Sequence, residues 1–279
     1  PAAVLVEYEK RLQQPADKPA LFLPYLGEFG FQVMYHMRYA YFHASPHKIV
    51  CCREEDKVLY PNAAEFFTDW TDPIPDAQRI GTYRGPAVQW PQIIAKYPDA
   101  VPLIANLASA QEEEECVLKP GDAIPLHPVK RNLQCDVLLG IRQRPTFPEK
   151  NWGHWNEVAA ALKAAGITYA VAGASGTTSN VPGQIFNTAD HDTDASVEAM
   201  QTCKLYVGTD SGASHLASTV GAPMVIFREK ASNNRDYTWR MRLIDPHVTM
   251  VDDGWTNPAA VIKAITGAIH GNPAKPAAA

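Results

Sequence analysis

The side chains best placed for chemistry are Asp210, Ser211, Gly212 and His215, within the run from Lys204 to Phe227. That run reads as a buried strand (Leu205 to Val207), a polar turn (Gly208 to Gly212), a short helix (Ala213 to Val220) and a second strand (Met224 to Phe227). Gly212 has no Cβ, so a ligand can approach the backbone there. The amides that open the next helix lack intrahelical acceptors, and the helix dipole adds positive potential at the same spot. Such turns hold anions, nucleotide diphosphates among them, at the carboxyl ends of parallel strands. The plainer account is an ordinary turn with Asp capping a helix. His215, one helical turn in, reads equally well as a packing histidine.

A second group is cationic. Arg142, Arg144 and Lys150 follow a strand candidate at Cys135 to Ile141, where positive charge can neutralise a leaving diphosphate. A solvated loop is the alternative for each arginine, and Thr146 could add a hydroxyl. Gly173 opens the turn Gly173-Ala-Ser-Gly176 after another strand candidate; it either lies against a base or ribose or is a plain turn. The third group is a single carboxylate. Glu28 stands at the carboxyl end of the first strand candidate, a position from which a general base takes a proton from a hydroxyl. Modest desolvation keeps such a carboxylate basic. A glutamate stabilised by a helix N-terminus is the competing account.

Other constellations are weaker. Asp190-His-Asp-Thr-Asp194 has the D-x-D spacing of a divalent-ion site, but it precedes a helix that Asp194 or Asp192 would cap. His43 and His47 are four apart, yet Pro46 breaks the helix that would align them. The acidic run Glu112 to Glu115 reads as a solvated face or linker. Asp-Ser-Gly followed by a helix does not meet the Gly-x-Ser-x-Gly pattern of a serine hydrolase. No metal site is expected.

Elements that must position these residues alternate between strand and helix. Leu21 to Leu26 is a strand, Gly27 to Gly30 a turn, Phe31 to His43 a helix and Lys48 to Cys52 a strand. Between Asp56 and Pro102, prolines at 61, 73, 75, 86, 91 and 98 weaken the pattern, and only Ala63 to Phe67 looks helical. Order returns with Cys135 to Ile141, a helix from about His154 to Ala165 stopped by Gly166, a strand Ile167 to Ala172, and a helix Ala195 to Cys203 capped by Asp194. The last helix is Pro258 to Ile269, with Pro258 near its first turn. The alternation argues for α/β architecture with parallel sheets wrapped by helices. Arg228 to Arg235, with Trp239, Arg240 and Arg242, could rim the anion pocket.

Composition narrows the classes. With 46% apolar and 20% charged residues, the chain can bury a large core. A net charge of −5 gives no bulk electrostatic case for nucleic acid. Five cysteines, including the vicinal Cys51 and Cys52, do not look like a disulfide framework, so a reduced cytoplasmic compartment is expected. No apolar run approaches the roughly 18 residues of a membrane span. The start lacks the pattern of a secretory signal and an initiator Met, and Asn272 to Ala279 reads as a disordered Pro/Ala-rich tail.

Thr209-Asp-Ser-Gly-Ala-Ser-His-Leu-Ala-Ser-Thr-Val-Gly-Ala-Pro-Met-Val resembles the C-terminal signature of glycosyltransferase family 9, the heptosyltransferase-like family. Lys150-Asn-Trp152, Trp155 and the helix after them resemble the family's Lys-x-Trp segment. The resemblance implies a GT-B fold, two Rossmann-like domains facing across a cleft, with donor bound mainly by the C-terminal one. It implies domains at 1–133 (acceptor side) and 134–270 (nucleotide sugar), with a tail at 271–279. Gly27-Glu28 looks like the family's Gly-Asp at the candidate base, with Glu in place of the usual Asp. The proline-rich N-terminal half is shorter than usual for the family.

The expected activity is therefore transfer of a sugar from a nucleotide diphosphate sugar to a hydroxyl on a glycan or glycolipid. By resemblance it is inverting and metal-independent, with no cofactor. Glu28 is the catalytic candidate, and Arg142, Arg144, Lys150, Gly173, Asp210, Ser211, Gly212 and His215 are the donor-binding ones. The alternatives are a non-catalytic nucleotide-sugar-binding protein, a glycosyltransferase acting on modified DNA, and a dinucleotide enzyme, the last lacking G-x-G-x-x-G.

Overall fold

The structure is a computed structural model that describes residues 17–70, 90–103, 123–228 and 248–271. The acidic run at 112–115, the segment 229–242 beyond Arg228, the start and the tail lie outside the described residues. The chain divides into two compact units, Pro1–Lys119 with Pro125–His127, and Pro120–Ile124 with Pro128–Ala279.

In the first unit, β1 (Ala20–Phe22), β2 (Lys48–Cys51), β3 (Glu65–Phe67) and β4 (Val101–Leu103) form a parallel sheet in the order β3-β2-β1-β4. Leu21, Leu23, Ile49, Cys51, Phe67 and Ile93 form one buried apolar cluster of this unit. Helix α1 follows β1 in three parts: an α-turn at Phe29–Phe31, a π-helix at Gln32–Met37 and a further α-turn at Arg38–Phe42. Apolar positions at mixed three- and four-residue spacing signalled a helix, whereas all six π-helical residues are buried, Gln32 and His36 included.

The helical expectation for Ala63 to Phe67 is corrected. Glu65, Phe66 and Phe67 pair in register with Ile49, Val50 and Cys51. Sheet pairing and the β preference of two phenylalanines override the two alanines. Two elements in the proline-rich stretch escaped the sequence reading: α2 (Trp90–Lys96), with Pro91 in its first turn, and β4. Both prolines sit where proline is tolerated. Pro91 gives up an amide that has no helical acceptor, and Pro102 lies on a strand at the edge of the described sheet.

The second unit holds β5 (Val137–Gly140), β6 (Tyr169–Ala172), β7 (Leu205–Gly208), β8 (Met224–Phe227) and β9 (Val248–Val251), all parallel, in the order β6-β5-β7-β8-β9. Its helices are α3 (Trp155–Ala164), α4 (Thr193–Thr202), α5 (Gly212–Thr219) and α6 (Pro258–Gly271). Helix α3 buries Trp155, Val158, Ala159 and Leu162, one face at the helical period, each large side chain contributing about 1.5–3 kcal/mol on burial. It ends where Gly166 turns left-handed (φ 68°), with the Ile167 amide donating to the Leu162 carbonyl at 3.0 Å. The cap of α4 is Asp192 and not Asp194: its carboxylate accepts from the Ala195 amide and pairs at 2.8 and 2.7 Å with the Arg131 guanidinium. Asp194 instead accepts from the Val129 amide at 2.8 Å. Strand β9, whose Thr249 is exposed and Met250 half-buried, was not foreseen.

Candidate active site

The order β6-β5-β7 makes the loops after β5 and β7 leave the sheet in opposite directions. The gap between them is the topological switch point at which open parallel sheets hold ligands. Gly140 lies in register with both Ala172 and Gly208, so the loops carrying Lys150, Gly173 and Asp210 start side by side.

Asp210 is the meeting point. Lys150 Nζ lies 3.4 Å from its Oδ2, and His215 Nε2 lies 3.5 Å from its Oδ1. Burial alone would raise the Asp210 pKa, but the His215 hydrogen bond and the charges of His215 and Lys150 pull it below the usual carboxylate value. The carboxylate thus stays ionised, with a cation on one side and a buried imidazole on the other. Ser211 caps α5, its Oγ accepting from the Ser214 amide at 3.3 Å. The next amides, of Gly212 and Ala213, have no acceptor within the helix, and both residues are half-buried.

Beneath this helix end runs a chain of hydroxyls. Ser214 Oγ donates to the Thr209 carbonyl at 2.5 Å, which leaves its oxygen to accept from Tyr206 and from Ser211, each at 3.1 Å. Burial drives the Tyr206 phenol well above its ordinary pKa, so it remains a donor. The Tyr206 ring crosses the strand ends closely: a Cβ at Gly140 would stand 1.8 Å from its hydroxyl, and one at Gly208 2.7 Å from its ring. Gly140→Ala is therefore expected to displace Tyr206 and destabilise the protein by about 1–3 kcal/mol. A urea midpoint unchanged from wild type would contradict this account of the glycine.

Arg142 and Arg144 are placed differently from Lys150. Arg142 is buried, and its guanidinium donates to the carbonyls of Thr146 (2.8 Å) and Phe147 (3.0 Å) and to Asn151 Oδ1 (2.6 Å). The Arg144 backbone is held by the Asn151 amide, at 3.0 Å through its N–H and 2.8 Å through its carbonyl. At Gly173 a Cβ would meet Thr178 at 2.5 Å, so a neighbouring side chain accounts for the glycine.

In the first unit Glu28 is the residue before α1, half-buried, its carbonyl accepting from the Phe31 and Gln32 amides. The order β3-β2-β1-β4 puts the loop after β1, which carries Glu28, at that sheet's own switch point. A polar network that sequence reasoning missed ties this loop to α1. His36 Nε2 lies 2.9 Å from the Leu23 carbonyl and Nδ1 2.8 Å from the Tyr60 hydroxyl. Burial lowers the His36 pKa to about 4, the Leu23 carbonyl partly opposing it. The neutral ring must then donate through Nε2 and accept from Tyr60 through Nδ1. Gln32 Nε2 extends the network to Asp56 Oδ2 at 3.1 Å. The available signal was Gln32 and His36, polar residues four apart among the apolar positions Val33, Met34 and Met37.

Among the described residues, no group of three or more His, Cys, Asp or Glu side chains is arranged to hold a metal ion. Asp192, from the D-x-D run, is engaged by Arg131. Cys51, Cys52, Cys135 and Cys203 are free and buried. No described helix is long and apolar enough to cross a membrane.

Residues 88–232, just over half of the chain, match the family described as glycosyltransferase family 9 (heptosyltransferase). The chain belongs to glycosyltransferase family 9. It is accordingly a glycosyltransferase, and its parallel α/β units match the GT-B-like architecture of solved family structures. One is the glycosyl transferase family 9 protein from Veillonella parvula DSM 2008, at 12% identity and a TM-score of 0.57, covering 91% of this chain and 98% of that one. Another is the E. coli ADP-heptose lps heptosyltransferase II, at 12% identity and a TM-score of 0.55, covering 91% and 99%. At such identity the likeness concerns the fold. No curated protein matches the chain.

Proposed function

We propose that this glycosyltransferase takes its sugar from a nucleotide diphosphate donor and passes it to a hydroxyl of a glycan or glycolipid, with inversion and without a metal. The observation that carries the donor half is Lys150 and His215 converging on Asp210 beside the amides that open α5. A diphosphate laid against those amides gains from the helix dipole. A bare carboxylate next to it would repel it. Asp210 is therefore assigned to aiming Lys150 and to accepting a sugar hydroxyl, its charge already balanced by Lys150. Lys150 supplies the positive charge that grows in value as the diphosphate leaves. Ser211 sets the cap, and Gly212 leaves room for close approach. Arg142 and Arg144 shape the loop on which Lys150 rides.

Glu28 is assigned as the base that takes the acceptor proton while the hydroxyl oxygen attacks the anomeric carbon. That carbon's bond to the diphosphate breaks in the same step, and the diphosphate departs with the electron pair. His215 remains with Asp210 throughout.

A panel of nucleoside diphosphates and their sugars, read by thermal unfolding, tests the donor site. A ligand present at about 100 times its Kd adds roughly 2.7 kcal/mol to stability, a shift of several degrees for a domain of this size. At least one diphosphate nucleotide is expected to give it, and the corresponding monophosphate much less. Equal shifts from both would remove the diphosphate site from the proposal.

A further inference from the structure

Phe147 has a backbone that its side chain does not favour. Its φ of 56° and ψ of 59° are left-handed, where a bulky non-glycine residue is strained. It is also 39% exposed, so its ring is not held in the core. Strain of this kind persists only when the surroundings over-determine it. Here they do. The buried Arg142 guanidinium grips the Thr146 and Phe147 carbonyls, in the two peptides that flank the Phe147 Cα, and Asn151 Oδ1 from the far end of the loop. Asn151 in turn closes on both backbone groups of Arg144. The Lys150 amide donates to the same Phe147 carbonyl at 3.0 Å, within the single turn of 3-10 helix at Pro148–Lys150.

We infer that Arg142 is a positioning residue for the donor site: its guanidinium holds Phe147 left-handed, and that kink sets Lys150 on Asp210. The inference rests on the proposed donor site. Arg142 acts through the loop and does not touch the diphosphate. Without the clamp, Phe147 relaxes to a right-handed or extended conformation, the turn at 148–150 loses its start, and Lys150 reaches Asp210 only part of the time. Apparent affinity then falls by the fraction of molecules still competent.

This makes a prediction that a phosphate-binding arginine would not share: glycine at 147, which adopts φ near +60° without strain, should compensate for loss of the clamp. The experiment titrates the full-length protein calorimetrically with ADP, UDP, GDP and CDP, using whichever binds wild type best. Arg142→Ala is expected to raise Kd by about tenfold. Phe147→Gly alone should change it less than about twofold, and the double variant should recover most of the loss. Phe147→Ala in the same background should not recover it, since alanine keeps the strain. Amide hydrogen exchange at Lys150 gives an independent reading that tolerates some loss of stability: faster in Arg142→Ala than the change in global stability explains, and slowed again in the double variant. Binding that is lost in Lys150→Ala but intact in Arg142→Ala overturns the inference alone. A double variant no better than Arg142→Ala, in both Kd and exchange, also overturns it. Failure of every nucleoside diphosphate to bind wild type would overturn the donor site and this inference together.

Discussion

Glu28→Gln is expected to lower kcat by about 10²–10⁴ while leaving donor affinity within about twofold of wild type. The substitution keeps the shape of the side chain and removes its capacity to accept a proton. Glu28 precedes α1 with no side-chain capping bond, its carbonyl rather than its carboxylate serving the helix. A urea titration of the variant separates any loss of fold from loss of chemistry. The readouts are steady-state kinetics at saturating donor and calorimetric titration of the nucleoside diphosphate. A variant retaining more than a tenth of wild-type kcat would remove Glu28 as the base. Glu28→Asp distinguishes chemistry from reach: it keeps the carboxylate but draws it back by one methylene, so partial activity is expected.

How far the residues announced themselves depended on whether the signal was local. The segment from Leu205 to Phe227 carries strand, cap, helix and strand in consecutive residues, and the boundaries of β7, α5 and β8 came out within about one residue. Helix α3 and its glycine stop were equally plain, because periodicity and Gly166 agree. Where the outcome turned on partners distant in the chain, the sequence was silent. Glu65 to Phe67 became a strand because β2 offered an edge. Asp192 rather than Asp194 became the cap because Arg131 reaches it from 61 residues away. The π-helical turn at Gln32–Met37 has no period that distinguishes it from α-helix, and its polar partners Asp56 and Tyr60 lie more than 20 residues on. Arg142 and Lys150 looked alike as loop cations; folding separated them, turning one into its own loop and the other toward Asp210.

Lys150→Ala is expected to reduce kcat/KM by about 10²–10³, the range seen when one preorganised group facing a developing charge is removed. The argument starts from what its ammonium does without a ligand. At 3.4 Å from Asp210 and 26% exposed, it sits in a loose, partly hydrated pair, which holds it in place at little energetic benefit. A diphosphate carries more charge than one carboxylate and also faces the α5 amides, so it can draw Lys150 into a tighter contact without stripping Asp210 of its second partner, His215. The benefit is greatest once the sugar bond has broken and the leaving oxygens bear full charge. The variant should therefore lose in kcat as well as in nucleoside diphosphate affinity. Lys150→Arg should restore only part of the rate, because a planar fork cannot repeat the geometry of a compact ammonium between two acceptors. In Lys150→Ala, Asp210 keeps its negative charge beside the phosphates with one cation fewer to balance it. Adding Asp210→Asn should then recover some diphosphate affinity, which a purely local loss of a contact would not allow. Calorimetry on the single and double variants decides between these outcomes, and a double variant weaker than Lys150→Ala would mean that Asp210 supports the nucleoside diphosphate itself, beyond the sugar contact assigned to it.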